Sequence, residues 1–196
     1  MLALLAPALV AFQQTLVLPP APTATATNAP DDWTALRQRP LRLPTLALGA
    51  TCPINHAHQV NPGYGPGIGD GPAYAAIAGD GVLSFQPPAT FESAEWGGGK
   101  VLWYFTPAVR GPVLIRGHQL DGSNEVRFEQ GALPPTELTF SADGTDPGGW
   151  SGRSSYTRVR AAGCYAYQVD GASFTEIVVF EARPAQSTCA SAGCGL

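Results

Sequence analysis

From Val82 onward, short runs of apolar, β-branched and aromatic residues alternate with breaks rich in Gly, Pro and Asp-Gly. Runs of four to eight residues bounded by turn residues predict strands, because such side chains pack well on a pleated surface and the breaks suit tight turns. The predicted strands are Val82 to Phe85, Val101 to Thr106, Val113 to Arg116, Val126 to Phe128, Leu138 to Phe140, Tyr156 to Arg160, Tyr165 to Val169 and Phe174 to Glu181. The clearest unit is Gly163 to Phe180, where two runs flank Asp170-Gly171 and predict a β-hairpin turning on that pair. Its second run, Ile177-Val178-Val179-Phe180, is apolar on both faces and predicts a central strand. Tyr165, Tyr167 and Val169 share one face by the two-residue period of a strand. Together these elements predict an all-β fold, a two-sheet antiparallel β-sandwich.

The period disappears before Val82. Leu2 to Phe12 form an apolar stretch, Ala24-Thr25-Ala26 offers small residues for cleavage, and the first cation is Arg37. Residues 1–27 therefore read as a signal-like segment, with an uncleaved anchor as the alternative and the only route to a membrane. Pro19 to Pro30 is built of Pro, Ala and Thr and is unsuited to a core. Asp31 to Arg37 carries acids at its start and Arg at its end, which suits one helical turn, and Arg39 to Pro44 follows as extended chain. Residues 28–50 thus read as linker and lead-in, 51–183 as the sandwich domain and 184–196 as a Cys-containing tail. Cys52 to Tyr74 predicts a long irregular loop.

Composition sharpens this picture. Gly numbers 23 and Pro 19, about a fifth of the 196 residues, which favours turns over long helices. Charged residues are only 13%, so Ser, Thr, Gln and Gly must form much of the surface. The net charge of −4 provides no basic field for a phosphate backbone and argues against nucleic acid as a partner. Cys52, Cys164, Cys189 and Cys194 are even in number and read as disulfides of an oxidising compartment, secreted or in the cell envelope. Four cysteines allow three connectivities; closure of the tail by Cys189–Cys194 leaves Cys52–Cys164 to tie the irregular loop to the hairpin.

Several stretches carry a resemblance. Arg39 to Pro44, Cys52-Pro53, Gly69 to Tyr74, Lys100 to Trp103, Gly111 to Gly117 and Gly163 to Gly171 are similar to an uncharacterised group of secreted bacterial proteins. The resemblance spans roughly residues 31–183. It implies an exported, immunoglobulin-like domain and brings no activity and no catalytic residues.

Candidate chemistry is sparse. His56 and His58, at i and i+2, would share one face of an extended segment and suit Zn, with His118, Asp70 or Asp121 as further ligands. Asp121 to Glu125 and Asp143 to Asp146 offer oxygens for Ca, though neither has the spacing of an EF-hand loop. No Gly-x-Ser-x-Gly elbow occurs, because Arg153 follows Gly149-Trp150-Ser151-Gly152. Among the aromatics, Trp96, Trp150 and Tyr64 lie beside loop glycines and are the candidate ligand-binding rings, able to stack on a glycan or meet a protein. Arg158 and Arg160 share a strand face and predict a solvated stripe or a pairing with Glu176. The leading expectation is a secreted, disulfide-stapled binding or envelope-associated module with no cofactor. The alternative is a secreted hydrolase or metal-dependent enzyme using His56, His58 or His118 with a nearby carboxylate.

Overall fold

Alternating apolar positions pair into two sheets whose inner faces interlock. The structure is a computed structural model and describes residues 32–47 and 49–186. The signal-like segment 1–27 and the Cys189/Cys194 pair lie outside the described residues. After helix α1 (Asp32–Arg37) come strands β1 (His58–Asn61), β2 (Gly65–Gly67), β3 (Ala73–Ala76), β4 (Val82–Phe85), β5 (Gly97–Phe105), β6 (Gly111–Gln119), β7 (Arg127–Phe128), β8 (Leu138–Ala142), β9 (Ser151–Val159), β10 (Gly163–Gly171) and β11 (Phe174–Pro184). One sheet has the order β4-β11-β10-β6-β8 and the other β3-β5-β9-β7, while β1 and β2 form a separate hairpin. The chain is an all-β sandwich.

All eight predicted strands are present. The expectation of purely antiparallel sheets needs one correction, since β4 runs parallel to β11, Val82 beside Glu181 through Phe85 beside Pro184. The cause is a change of sheet: β3 lies beside β5, and the chain crosses over through residues 77–81 to enter the opposite sheet in the direction of β11. The irregular loop also holds more structure than its composition predicts. β1 and β2 pair despite Gly65-Pro66-Gly67, with a register break between Gln59 and Asn61.

The core is aromatic. Tyr167 stacks on Phe180 with centroids 4.4 Å apart and receives the edge of Trp103 at 4.9 Å, all three rings being buried. Full burial of a large apolar side chain contributes roughly 1.5–3 kcal/mol, so this trio joins the two sheets strongly. The buried Tyr167 hydroxyl pairs with Thr157 Oγ1 at 2.7 Å, which meets its hydrogen-bonding need inside the core.

The β10–β11 hairpin turns later than expected. Asp170 faces Thr175 and Gly171 faces Phe174, so Ala172-Ser173 form the loop. Asp170 is a buried acceptor: its carboxylate takes hydrogen bonds from Arg116 (2.7 Å), Gln168 Nε2 (2.9 Å) and Thr175 (2.6 Å). Those donors hold the residue in the strand and move the turn outward.

The lead-in is likewise no free linker. Leu36 of α1 is buried, and Arg39 donates to the carbonyls of Gly171 (2.8 Å), Phe174 (2.9 Å) and Ala172 (3.0 Å). Gln168 accepts from the Arg42 amide at 2.6 Å and donates to the Pro40 carbonyl at 3.0 Å. Leu43 and Leu46 pack over Ala166 and Val179. This strap explains why β11 is apolar on both faces: Val178 and Phe180 enter the core, while Val179 meets the strap. Cys52 and Cys164 close the strap with a disulfide across 112 residues.

Candidate functional site

The strap covers the outer face of the five-stranded sheet, so the open surface lies on the four-stranded one. Register places Gly98, Lys100, Leu102 and Tyr104 of β5 opposite Arg158, Tyr156, Ser154 and Gly152 of β9, and the two-residue period puts all eight on that outer face. A groove of about 720 Å³ opens at the Gly98 end. Gly98 and Gly99 form its floor, Ser84, Gln86, Thr90 and Glu92 one wall, Gln130 and Gly131 the other, and Lys100 and Tyr156 the end.

The glycines at the start of β5 are required by crowding. A Cβ on Gly99 would stand 2.7 Å from Leu83 Cδ1 and 3.1 Å from the Ser84 carbonyl. Their absence of side chains lets Gln86 form two backbone hydrogen bonds with Gly98, at 2.7 and 3.0 Å. That bridge takes up the backbone edge of β5 where β3 no longer reaches it.

Arg158 assembles the groove walls. Expected in a solvated stripe or beside Glu176, it is fully buried instead. Its guanidinium donates to the carbonyls of Trp96, Gly97 (3.1 Å), Glu129 (3.1 Å) and Gly131 (3.0 Å) and lies over the Phe91 ring. The rigid five-donor fork can reach several carbonyls at once, so one side chain ties residues 91–97 to residues 129–131. Phe91 in turn meets the edge of Tyr156 with centroids 5.5 Å apart. Burial pushes the Arg158 pKa below its ordinary value.

The three candidate rings are divided. Trp96 is only 5% exposed, with Arg160 at 4.2 Å and Arg127 at 5.1 Å from its ring centre, so it offers no open face. Arg160 also pairs with Glu95 at 2.6 Å. Tyr64 and Trp150 are half-buried neighbours, 6.0 Å apart, at the other end of the same sheet face. Tyr64 stacks on Tyr104 at 4.9 Å and Tyr104 on Tyr74 at 5.3 Å. The Tyr64 hydroxyl donates to Asp146 at 2.5 Å; burial first, then that carboxylate, pushes its pKa up.

The polar candidates are separated as well. His56 is exposed beside Asp80, and His58 is exposed with its ring edge toward Tyr74 at 5.8 Å. His118 lies on the strap side of the sandwich and donates through Nδ1 to the Gln119 carbonyl at 2.8 Å. Among the described residues, no three His, Cys, Asp or Glu side chains come together as a metal centre. The calcium candidates have other partners: Asp121 accepts from Gln119 (2.8 Å) and the Cys164 amide (3.0 Å), Glu125 pairs with Arg127 (2.7 Å), and Asp143 accepts from Thr145 (3.0 Å).

Sequence reasoning missed the groove residues Gln86, Lys100 and Gln130. One local signal was present: three consecutive glycines in a strand mark a place where another backbone or a ligand comes close.

No family model matches the chain, and no curated protein matches it. A solved structure it resembles is the CooA pilin subunit from enterotoxigenic Escherichia coli, with a TM-score of 0.32 and 9% identity over 59% of this chain and 100% of that one. A likeness this slight carries no argument about fold or role.

Proposed function

We propose that the protein is an extracytoplasmic, non-catalytic binding domain whose groove on the four-stranded sheet holds a neutral glycan. The carrying observation is the chemistry of that groove. It brings together two primary amides (Gln86, Gln130), three hydroxyls (Ser84, Thr90, Tyr156) and a single pair of opposite charges (Lys100, Glu92) over a flat glycine floor. Amides and hydroxyls both donate and accept, as sugar hydroxyls require, and the Tyr156 ring can meet the C–H face of a sugar. The Cys52–Cys164 disulfide supports an oxidising compartment.

The proposed architecture is immunoglobulin-like, supported by the strand order and by the parallel edge strand β4 beside β11. It carries one variation: β7, which pairs with β9, precedes β8 in the chain. A hydrolytic reading is supported less, because His58 and His118 lie on opposite faces of the sandwich and neither lines the pocket that His56 shares with Asp80.

Calorimetric titration with short β-1,4-linked oligosaccharides of glucose and of N-acetylglucosamine tests the reading. Tyr156→Ala is expected to weaken binding about tenfold, the effect of losing one ring contact. Binding of neither series, or undiminished binding by Tyr156→Ala, overturns it.

A further inference from the structure

The groove occupies only one end of an open sheet face. Resting on the glycan reading above, we propose that the binding surface extends along β5 and β9 to the Tyr64–Trp150 pair and accommodates a linear, neutral polysaccharide. The two ends are joined by the cross-strand neighbours Leu102 and Ser154, half-buried and exposed respectively. Lys100 and Tyr104 are four residues apart on one strand, roughly 13 Å at about 3.3 Å per residue, a span that takes more than one sugar ring. Tyr156 marks one end of this strip, and Trp150 and Tyr64 mark the other. The strip between Lys100 and Trp150 is therefore a row with an aromatic contact at each end and small or aliphatic side chains between.

Three observations favour an uncharged glycan chain over other polymers. Lys100 is the only charged residue among the eight facing positions that is exposed, and the whole chain carries −4, so a polyanion meets little attraction. A bound peptide commonly adds to an open sheet edge through main-chain hydrogen bonds. Here the edge of β5 beside the groove is already taken by Gln86. What remains is a face of rings, hydroxyls and amides, which suits a flat, equatorially linked sugar chain lying along the strands.

The test compares the disaccharide with the hexasaccharide in both β-1,4 series. The hexasaccharide should bind at least about tenfold more tightly than the disaccharide, through the added ring contacts. Trp150→Ala should abolish that gain. Ser154→Arg should abolish it as well, by placing a long side chain across the middle of the strip at an exposed position that folding tolerates. Equal affinity for both lengths, or a length gain that survives Ser154→Arg, overturns the extended site and leaves the groove reading standing. If neither length binds, the groove reading fails with it. Binding of an extended peptide that Ser154→Arg blocks, with no saccharide bound, assigns the face to a different polymer and overturns the proposal.

Discussion

The guanidinium carbon of Arg158 lies 4.0 Å from the centre of the Phe91 ring, with four backbone carbonyls hydrogen-bonded to the guanidinium and, among the described residues, no carboxylate. A buried cation is costly unless it is well bonded, and here dipoles and a ring face provide the compensation. Arg158→Met should lose that bonding, orphan the carbonyls and lower stability by about 3 kcal/mol or more. Arg158→Lys should recover only part of the loss, because an ammonium cannot fork among carbonyls on separate segments. Urea denaturation reads both effects. Because the same carbonyls hold the groove walls, both variants should also weaken saccharide binding while folded.

Burial makes the tyrosines a second test. It raises Tyr104 and Tyr165 to about 12 and pushes Tyr64, Tyr74 and Tyr167 upward from 10.0. Each folded pKa exceeds the unfolded one, so the stabilisation is complete below pH 10 and is lost as pH rises through the folded values. The tyrosine contribution to the urea midpoint should be constant below pH 10 and be lost steeply above it. The tyrosinate absorbance of these five rings should appear together with unfolding rather than ahead of it.

The strand runs were legible because turn residues separate them and their apolar period is two. Asp170 and Arg158 were not: Asp170 beside Gly171 reads as a turn residue and Arg158 as an outward strand position, and only the partners show that both are buried within strands. For Asp170 those partners are Arg116, Gln168 and Thr175; for Arg158 they are carbonyls at Trp96, Gly97, Glu129 and Gly131. The groove was hidden because its walls come from residues 84–92 and 130–131, which no local pattern joins. The Tyr64–Trp150 neighbourhood was half-visible: the rings were singled out beside their glycines, but their meeting depends on the irregular β1–β2 hairpin folding onto Tyr104.

Glu176 provides a test at acidic and neutral pH. Its buried carboxylate accepts from the amides of Asp70 (2.7 Å), Gly71 (2.9 Å) and Ala73 (3.0 Å) and pins the loop that leads into β3. Burial raises its pKa from 4.5, and the three amides only partly oppose the rise. The folded pKa exceeds the unfolded one, so this contribution is complete below pH 4.5 and declines as pH rises through the folded value. Glu176→Gln should remove that slope from a plot of stability against pH. It should also cost about 1–3 kcal/mol, since an amide nitrogen would face one of the backbone donors.

The disulfide joins the strap to the head of β10, and its loss should act in two separable ways. Cys52→Ala/Cys164→Ala frees a loop of 112 residues in the unfolded chain. In the chain-entropy model this costs about 4–5 kcal/mol, a large share of a domain's usual stability. The denaturant slope should increase at the same time, because the uncrosslinked chain exposes more surface on unfolding. The folded state should nevertheless retain the strap, because Arg39 still holds the three carbonyls of the hairpin turn and Gln168 still holds residues 40 and 42. Adding Arg39→Ala to the double variant removes the three bonds to the hairpin turn and leaves only those of Gln168. It should expose the apolar patch of Ala166 and Val179 that Leu43 and Leu46 cover, so a dye for exposed apolar surface should bind this triple variant far more than the double one. High dye binding already in the double variant would mean that the disulfide keeps the strap in place, and equally low binding by both would mean that Gln168 and the apolar contacts hold it without Arg39.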